Sequence, residues 1–150
     1  MKFRPQHYLD ASIEQINSAR RLHKQRRYSA AIYLAGVAAE CLMLAYRIRE
    51  NPEFESRHDL RSLLRESGMA GFVRLKDRKK LFVMMGDVWA RWKNNYRFAS
   101  HDRLTSEFRR LKLDRGIKGD ILKLSQAELD GHQWAIDNGF LKRRGGGKKK

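Results

Sequence analysis

The sequence predicts an all-α fold, an up-and-down helical bundle of about four to six helices, and three observations carry that expectation. Apolar residues recur at spacings of three and four, alternation of the strand type is absent, and the two prolines, Pro5 and Pro52, each stand beside a natural helix boundary. A chain of 150 residues suits one domain with its own core. The expected division is a helical domain over residues 1–141 and a basic Gly/Lys tail over 142–150, which has no apolar side chain to bury and should be disordered.

The first helix is expected from about Tyr8 to Arg26, with Leu9, Ile13, Ile16 and Ala19 as its apolar stripe. A second runs from Ser29, as N-cap, to Glu50, and is apolar nearly all round from Ala30 to Tyr46, as suits a helix in the middle of a bundle. Ala31, Ala35 and Ala39 share one line on it, where a neighbour can approach closely. A short helix opens near His58-Asp59, buries Leu60, Leu63 and Leu64, and ends before a loop at Gly68 to Gly71. A longer one follows Asp77, with Leu81, Met85, Val88, Trp92 and Tyr96 repeating at helical spacing and Phe82 and Trp89 widening the stripe. Leu104, Phe108 and Leu111 mark a short amphipathic helix before a basic loop at Gly116 to Gly119. Ser125-Gln126-Ala127-Glu128 then reads as a capping box, with Leu124 and Leu129 as its hydrophobic staple, opening a helix that stops near Asn138-Gly139.

Thirty-three Lys and Arg stand against 17 Asp and Glu, a formal charge of +16. The tail holds six of those positive charges, so the first 141 residues still carry +10. A field of that sign attracts nucleic-acid phosphate or an anionic membrane. The single Cys41 excludes a disulfide framework within one chain and a Cys-rich zinc site, and suits a reducing cytoplasm. The N-terminus lacks the apolar core of a signal peptide, and the longest apolar run carries Glu40, so neither secretion nor a membrane span is expected. A polyanion such as RNA is therefore the expected partner.

The run Arg27-Tyr28-Ser29-Ala30-Ala31-Ile32-Tyr33-Leu34-Ala35-Gly36-Val37, with Ala39-Glu40, is followed by His58-Asp59-Leu60, Leu63-Leu64 and Asn95-Tyr96-Arg97. This pattern, from Tyr8 to Phe140, resembles the HEPN domains of prokaryotes. The resemblance implies an up-and-down helical bundle. It also implies one of two activities. Many members are metal-independent RNases that act as homodimers through an Arg and a His four to six residues apart near the end of a helix. Others lack the pair and serve as binding or accessory modules beside a nucleotidyltransferase or antitoxin partner.

The nearest approach to that pair is Arg97-Phe98-Ala99-Ser100-His101, with three intervening residues. On a continuous helix Arg97 and His101 share one face alongside Asn94. There an arginine can grip a phosphate while a histidine titrating near neutrality moves a proton from a 2′-hydroxyl. The alternative is that Arg97 is a surface arginine and that Ser100-His101-Asp102 caps the next helix. Glu40, the one charge in the apolar run, needs a cationic partner if buried. The family analogy gives it the role of orienting the active-site arginine; a partly exposed carboxylate bonded to a nearby arginine is the other reading.

Binding is expected of three basic clusters, represented by Arg20, Arg21, Lys24, Arg26 and Arg27, by Arg78, Lys79 and Lys80, and by Arg109 and Arg110. Tyr28, Tyr33, Trp89, Trp92 and Tyr96 can stack on bases, although aromatics at helical spacing are more often core. No phosphate-cradling glycine loop, nucleophile elbow, H-E-x-x-H motif or carboxylate cluster of metal-ligand spacing is present, so neither a cofactor nor a metal is expected.

Overall fold

The computed structural model describes residues 2–55, 60–66, 92–110 and 121–137, together with Lys76 and Lys79. Among these the fold is helical and contains no strand. The elements are α1 (Pro5–Lys24), α2 (Tyr28–Glu50), α3 (Leu60–Glu66), a 3-10 helix (Asn94–Phe98), α4 (His101–Arg110) and α5 (Ile121–Ala135). The expected loops at Gly68 to Gly71 and Gly116 to Gly119, the stripe residues Leu81, Phe82, Met85, Val88 and Trp89, the pair His58-Asp59 and the basic tail all lie outside the described residues.

Helix α1 starts earlier than expected because Pro5, with no N–H to satisfy, sits in its first turn, and the backbone N–H of Arg4 donates to Nδ1 of His7 at 3.1 Å. It ends in a Schellman motif, in which Arg26 N–H donates to the carbonyl of His23 (3.0 Å) and Arg27 N–H to that of Leu22 (2.9 Å). Arg26 takes the left-handed conformation that closes this motif, with φ of 61°. Helix α2 therefore begins at Tyr28 with Arg27 as N-cap, and not after Ser29, because the tight reversal uses only three residues.

The reversal makes α1 and α2 antiparallel, so that Ser12 meets Ala38. The buried face of α1 is Leu9, Ser12, Ile16 and Ala19, while Ile13 is 36% exposed. Ser12 replaces Ile13 in the expected stripe because its hydroxyl donates to the carbonyl of Ala38 at 2.9 Å, which satisfies it inside the core. Ala31, Ala35 and Ala39 are fully buried, as their common line predicts.

Helix α2 is the centre of the fold, packed by α1, α3, α4, α5 and the 3-10 helix. Its buried residues occupy every side, among them Ile32, Ala38, Leu42, Met43, Ala45, Tyr46 and Ile48. By length and composition alone it is apolar enough to cross a membrane, and 61% of its most apolar window is covered by the rest of the protein.

Two expected helix boundaries are corrected. Helix α5 begins at Ile121, so Ser125 is an interior residue, buried, and not an N-cap. Its hydroxyl is taken by Nδ1 of His23 on α1 at 2.9 Å, which removes it from any capping box. The expected long helix through Trp92 to Tyr96 does not continue to that point. Lys93 is extended, with φ of −132° and ψ of 141°, and a separate 3-10 turn carries Tyr96. Both aromatics nevertheless stay in the core. The indole of Trp92 lies over Gly36, stacks on Tyr33 at 5.9 Å and donates from Nε1 to the Tyr33 carbonyl at 3.2 Å, while Tyr96 meets Phe108 edge-on at 5.7 Å.

Candidate nucleic-acid interface

The segment from Trp92 to His101 runs back along α2 from the level of Gly36 to that of Tyr28, and α4 continues from there to Arg110. Trp92 anchors one end against Tyr33 and Gly36, and at the other the His101 ring lies 6.3 Å from that of Tyr28. Over the whole stretch to Arg110 the side chains Trp92, Tyr96, Leu104 and Phe108 are buried, and Lys93, Asn95, Arg97, Phe98, Ser100, His101 and Arg103 are exposed. The segment is thus a strip whose inner edge is apolar and whose outer edge is polar and cationic.

Arg97 and His101 are not on one helix. Ala99 is extended, with φ of −91° and ψ of 127°, and α4 begins at His101. Ser100 caps α4, its Oγ accepting the N–H of Arg103 at 3.2 Å, so the sequence Ser100-His101-Asp102 forms a helix start. Both Arg97 and His101 are exposed. Asn94 opens the 3-10 helix and is half-buried.

Glu40 is buried in α2, 7% exposed. It lies roughly 18 Å along the α2 axis from Tyr28, at about 1.5 Å per residue. Since His101 touches Tyr28, the fold does not bring Glu40 and His101 together within one chain. Next to Glu40, burial and the neighbouring carboxylate push the Cys41 thiol up to about 11, so it is a protonated, inert thiol at neutral pH.

The basic residues divide by placement. Arg21, Lys24, Arg26 and Arg27 are exposed around the α1–α2 turn, as are Lys79 and Arg109. Arg20 is half-buried and turned into the fold, where it donates to the side chains of Asn17 and of Gln133 on α5. Arg110 is exposed but forks onto Glu107, with Nε to Oε2 at 3.1 Å and Nη2 to Oε1 at 2.7 Å, and its guanidinium holds the Glu107 carboxyl below the usual carboxylate range. Arg78 and Lys80 lie outside the described residues. Tyr28 joins two of these groups, because its ring contacts His23 of α1 at 5.3 Å as well as His101 of α4. The cations of the turn and those of the strip therefore border one surface.

A feature that periodicity does not reveal completes the strip. Phe98 is 77% exposed, the guanidinium of Arg97 sits 4.7 Å above its ring centroid, and beside it opens a cavity of about 250 Å³. Lys93, Asn95, Phe98, Arg103 and Glu107 line this cavity with Tyr96 and Leu104 at its floor. The available signal in the sequence is that Phe98 falls off the apolar stripe and directly follows Arg97. Tyr28, Tyr33, Trp92 and Tyr96, by contrast, are half-buried or buried against the core.

Among the described residues no group of His, Cys, Asp and Glu is arranged to hold a metal ion. No family model matches the chain, and no curated protein and no solved structure matches it.

Proposed function

We propose that this protein is an HEPN-like, RNA-binding helical domain, and that its binding surface is the strip from Lys93 to Arg110 with the basic α1–α2 turn. The observation that carries the reading is the contact of Tyr28 with His101, which brings the α1–α2 turn that bears Arg26 and Arg27 to the start of α4, where Arg103 is exposed. Cations gathered on one face raise each other's energy unless an anion is present, so a polyanion is the ligand they suit. The residue pattern that resembles HEPN domains makes that polyanion RNA, bound in the cytoplasm by a homodimer. Within the same reading, Arg97 and His101 supply metal-independent cleavage, Arg97 holding the phosphate and His101 moving the proton of the attacking 2′-hydroxyl, with Asn94 beside them.

The second reading is a non-catalytic HEPN-like module that works with a nucleotidyltransferase or antitoxin partner. It is favoured by the break between Arg97 and His101 and by the separation of Glu40 from His101 within one chain.

Two measurements test these readings. Affinity for a structured RNA should fall steeply with salt, with a log-log slope of several phosphate contacts; absence of binding in dilute buffer removes the RNA reading altogether. With RNA in EDTA, cutting by the wild type and none by Arg97→Ala or His101→Ala supports the enzyme. Equal cutting by all three rejects it and leaves the accessory module.

A further inference from the structure

Leaving a phenyl ring 77% exposed forgoes the stabilisation that its burial would contribute, and the Arg97 guanidinium across its face returns only part of it. Phe98 is held there by its neighbours. Tyr96 two residues before it is pinned in the core against Phe108, and Ser100 two residues after it is fixed as the cap of α4. With the backbone fixed on both sides, the 3-10 turn that ends at Phe98 holds its ring outward.

The cavity beside the ring has the size and the chemistry of a single base. A dry cavity of about 150 Å³ takes a benzene molecule, so the roughly 250 Å³ here suits one heteroaromatic ring system. One wall is the Phe98 ring; Lys93 and Arg103 are cations at the rim, as a flanking phosphate requires. Among the described residues of the lining, Glu107 is the only acid. Each of its oxygens takes one hydrogen bond from Arg110, which keeps the carboxylate ionised and in place and leaves further lone pairs as acceptors. A carboxylate beside a stacked base accepts from an exocyclic amino group, which adenine, cytosine and guanine have and uracil lacks. Asn95, also in the lining, can pair with the same edge of adenine.

We propose that Phe98 is the stacking platform of a one-base site, and that its ligand is an unpaired amino-bearing base, adenine, cytosine or guanine, of a single-stranded RNA whose adjacent phosphates lie on Lys93, Arg97 and Arg103. The proposal rests on the RNA-binding reading above and specifies which part of an RNA that surface takes: an extruded or unpaired base, and not a duplex face. Stacking on an exposed aromatic is tolerant of sequence, so base preference falls to Glu107 and Asn95.

The test is binding of the full chain to fluorescent A10, C10 and U10 strands and to an RNA duplex, by anisotropy at low salt. Phe98→Ala should weaken A10 binding by roughly 5- to 100-fold and duplex binding far less, and Phe98→Trp should restore it while its own fluorescence is quenched by the strand. Glu107→Gln should erase the preference of the wild type for A10 and C10 over U10. Wild type and Phe98→Ala binding A10 equally would overturn the proposal and leave the RNA reading standing. Wild type binding none of the four RNAs would remove both. Displacement of A10 by an equimolar amount of AMP would overturn the strand as ligand, and U10 binding as tightly as A10 would overturn the assignment to Glu107.

Discussion

Ser12 and His132 are joined across 120 residues of sequence, Oγ to Nε2 at 3.0 Å, in a site with no solvent exposure at either residue. The Ser12 proton is already committed to the carbonyl of Ala38, so its oxygen accepts from His132 and fixes the Nε2–H tautomer of a neutral ring. A second Ser and His pair, Ser125 with His23, lies on the same seam with the roles of the helices exchanged, and Arg20 meets Gln133 there as well. Helices α1 and α5 are thus joined by a line of side-chain hydrogen bonds.

Removal of that acceptor should be costly. Ser12→Ala leaves the buried Nε2–H of His132 without the oxygen it donates to, and should lower stability by roughly 1–3 kcal/mol in urea melts. A variant as stable as the wild type would show that the seam contributes nothing.

The same histidine should make the fold sensitive to acid. Burial, aided by the charge of Arg20, pushes the His132 imidazole down to about 3 from its ordinary 6.5. The unfolded chain therefore binds a proton between those values that the native state refuses, so stability is full above pH 6.5 and falls as pH drops toward 3, by about 1.4 kcal/mol per unit. Between pH 7 and pH 5, His132→Leu should lose about 2 kcal/mol less than the wild type does. Parallel pH profiles for the two proteins would contradict this.

Arg26 occupies a position that favours glycine. Its φ of 61° strains a side-chain-bearing residue, and glycine relieves that strain while its greater freedom in the unfolded chain offsets part of the gain. Arg26→Gly should raise stability by roughly 0.5–1 kcal/mol, read as a higher melting midpoint. A lowered midpoint would mean that the arginine side chain does more for the turn than its backbone costs.

Gly36 permits the close approach of Trp92. A Cβ at position 36 would fall on the indole, so Gly36→Ala must push Trp92 away from Tyr33 and break its bond to the Tyr33 carbonyl. The expected loss is about 1–3 kcal/mol, with a red-shifted tryptophan emission as water reaches the ring. Unchanged emission and stability would show that the indole has room to move.

How far the sequence reveals this molecule depends on whether a residue's environment is local. The all-round apolar run of α2 and the line Ala31, Ala35, Ala39 are legible, because only a central helix with a close neighbour suits them. Ser12 is not legible as core, since the carbonyl that satisfies it belongs to Ala38 on another helix. Ser125 mimics a helix start for the same reason, as its true partner is His23, more than a hundred residues away. The break between Arg97 and His101 contains neither proline nor glycine, so it leaves no local mark, and without it nothing shows that Phe98, two residues past the stripe, stands out in solvent.

The central place of α2 bears on how the chain is made. Helix α1 can cover one of its flanks as soon as the three-residue reversal is complete, but α4 and α5 are synthesised last. Until they leave the ribosome, much of a 23-residue apolar rod stands bare. The nascent protein is then at its most adhesive, and a chaperone, or a second nascent copy, has its longest opportunity to seize it.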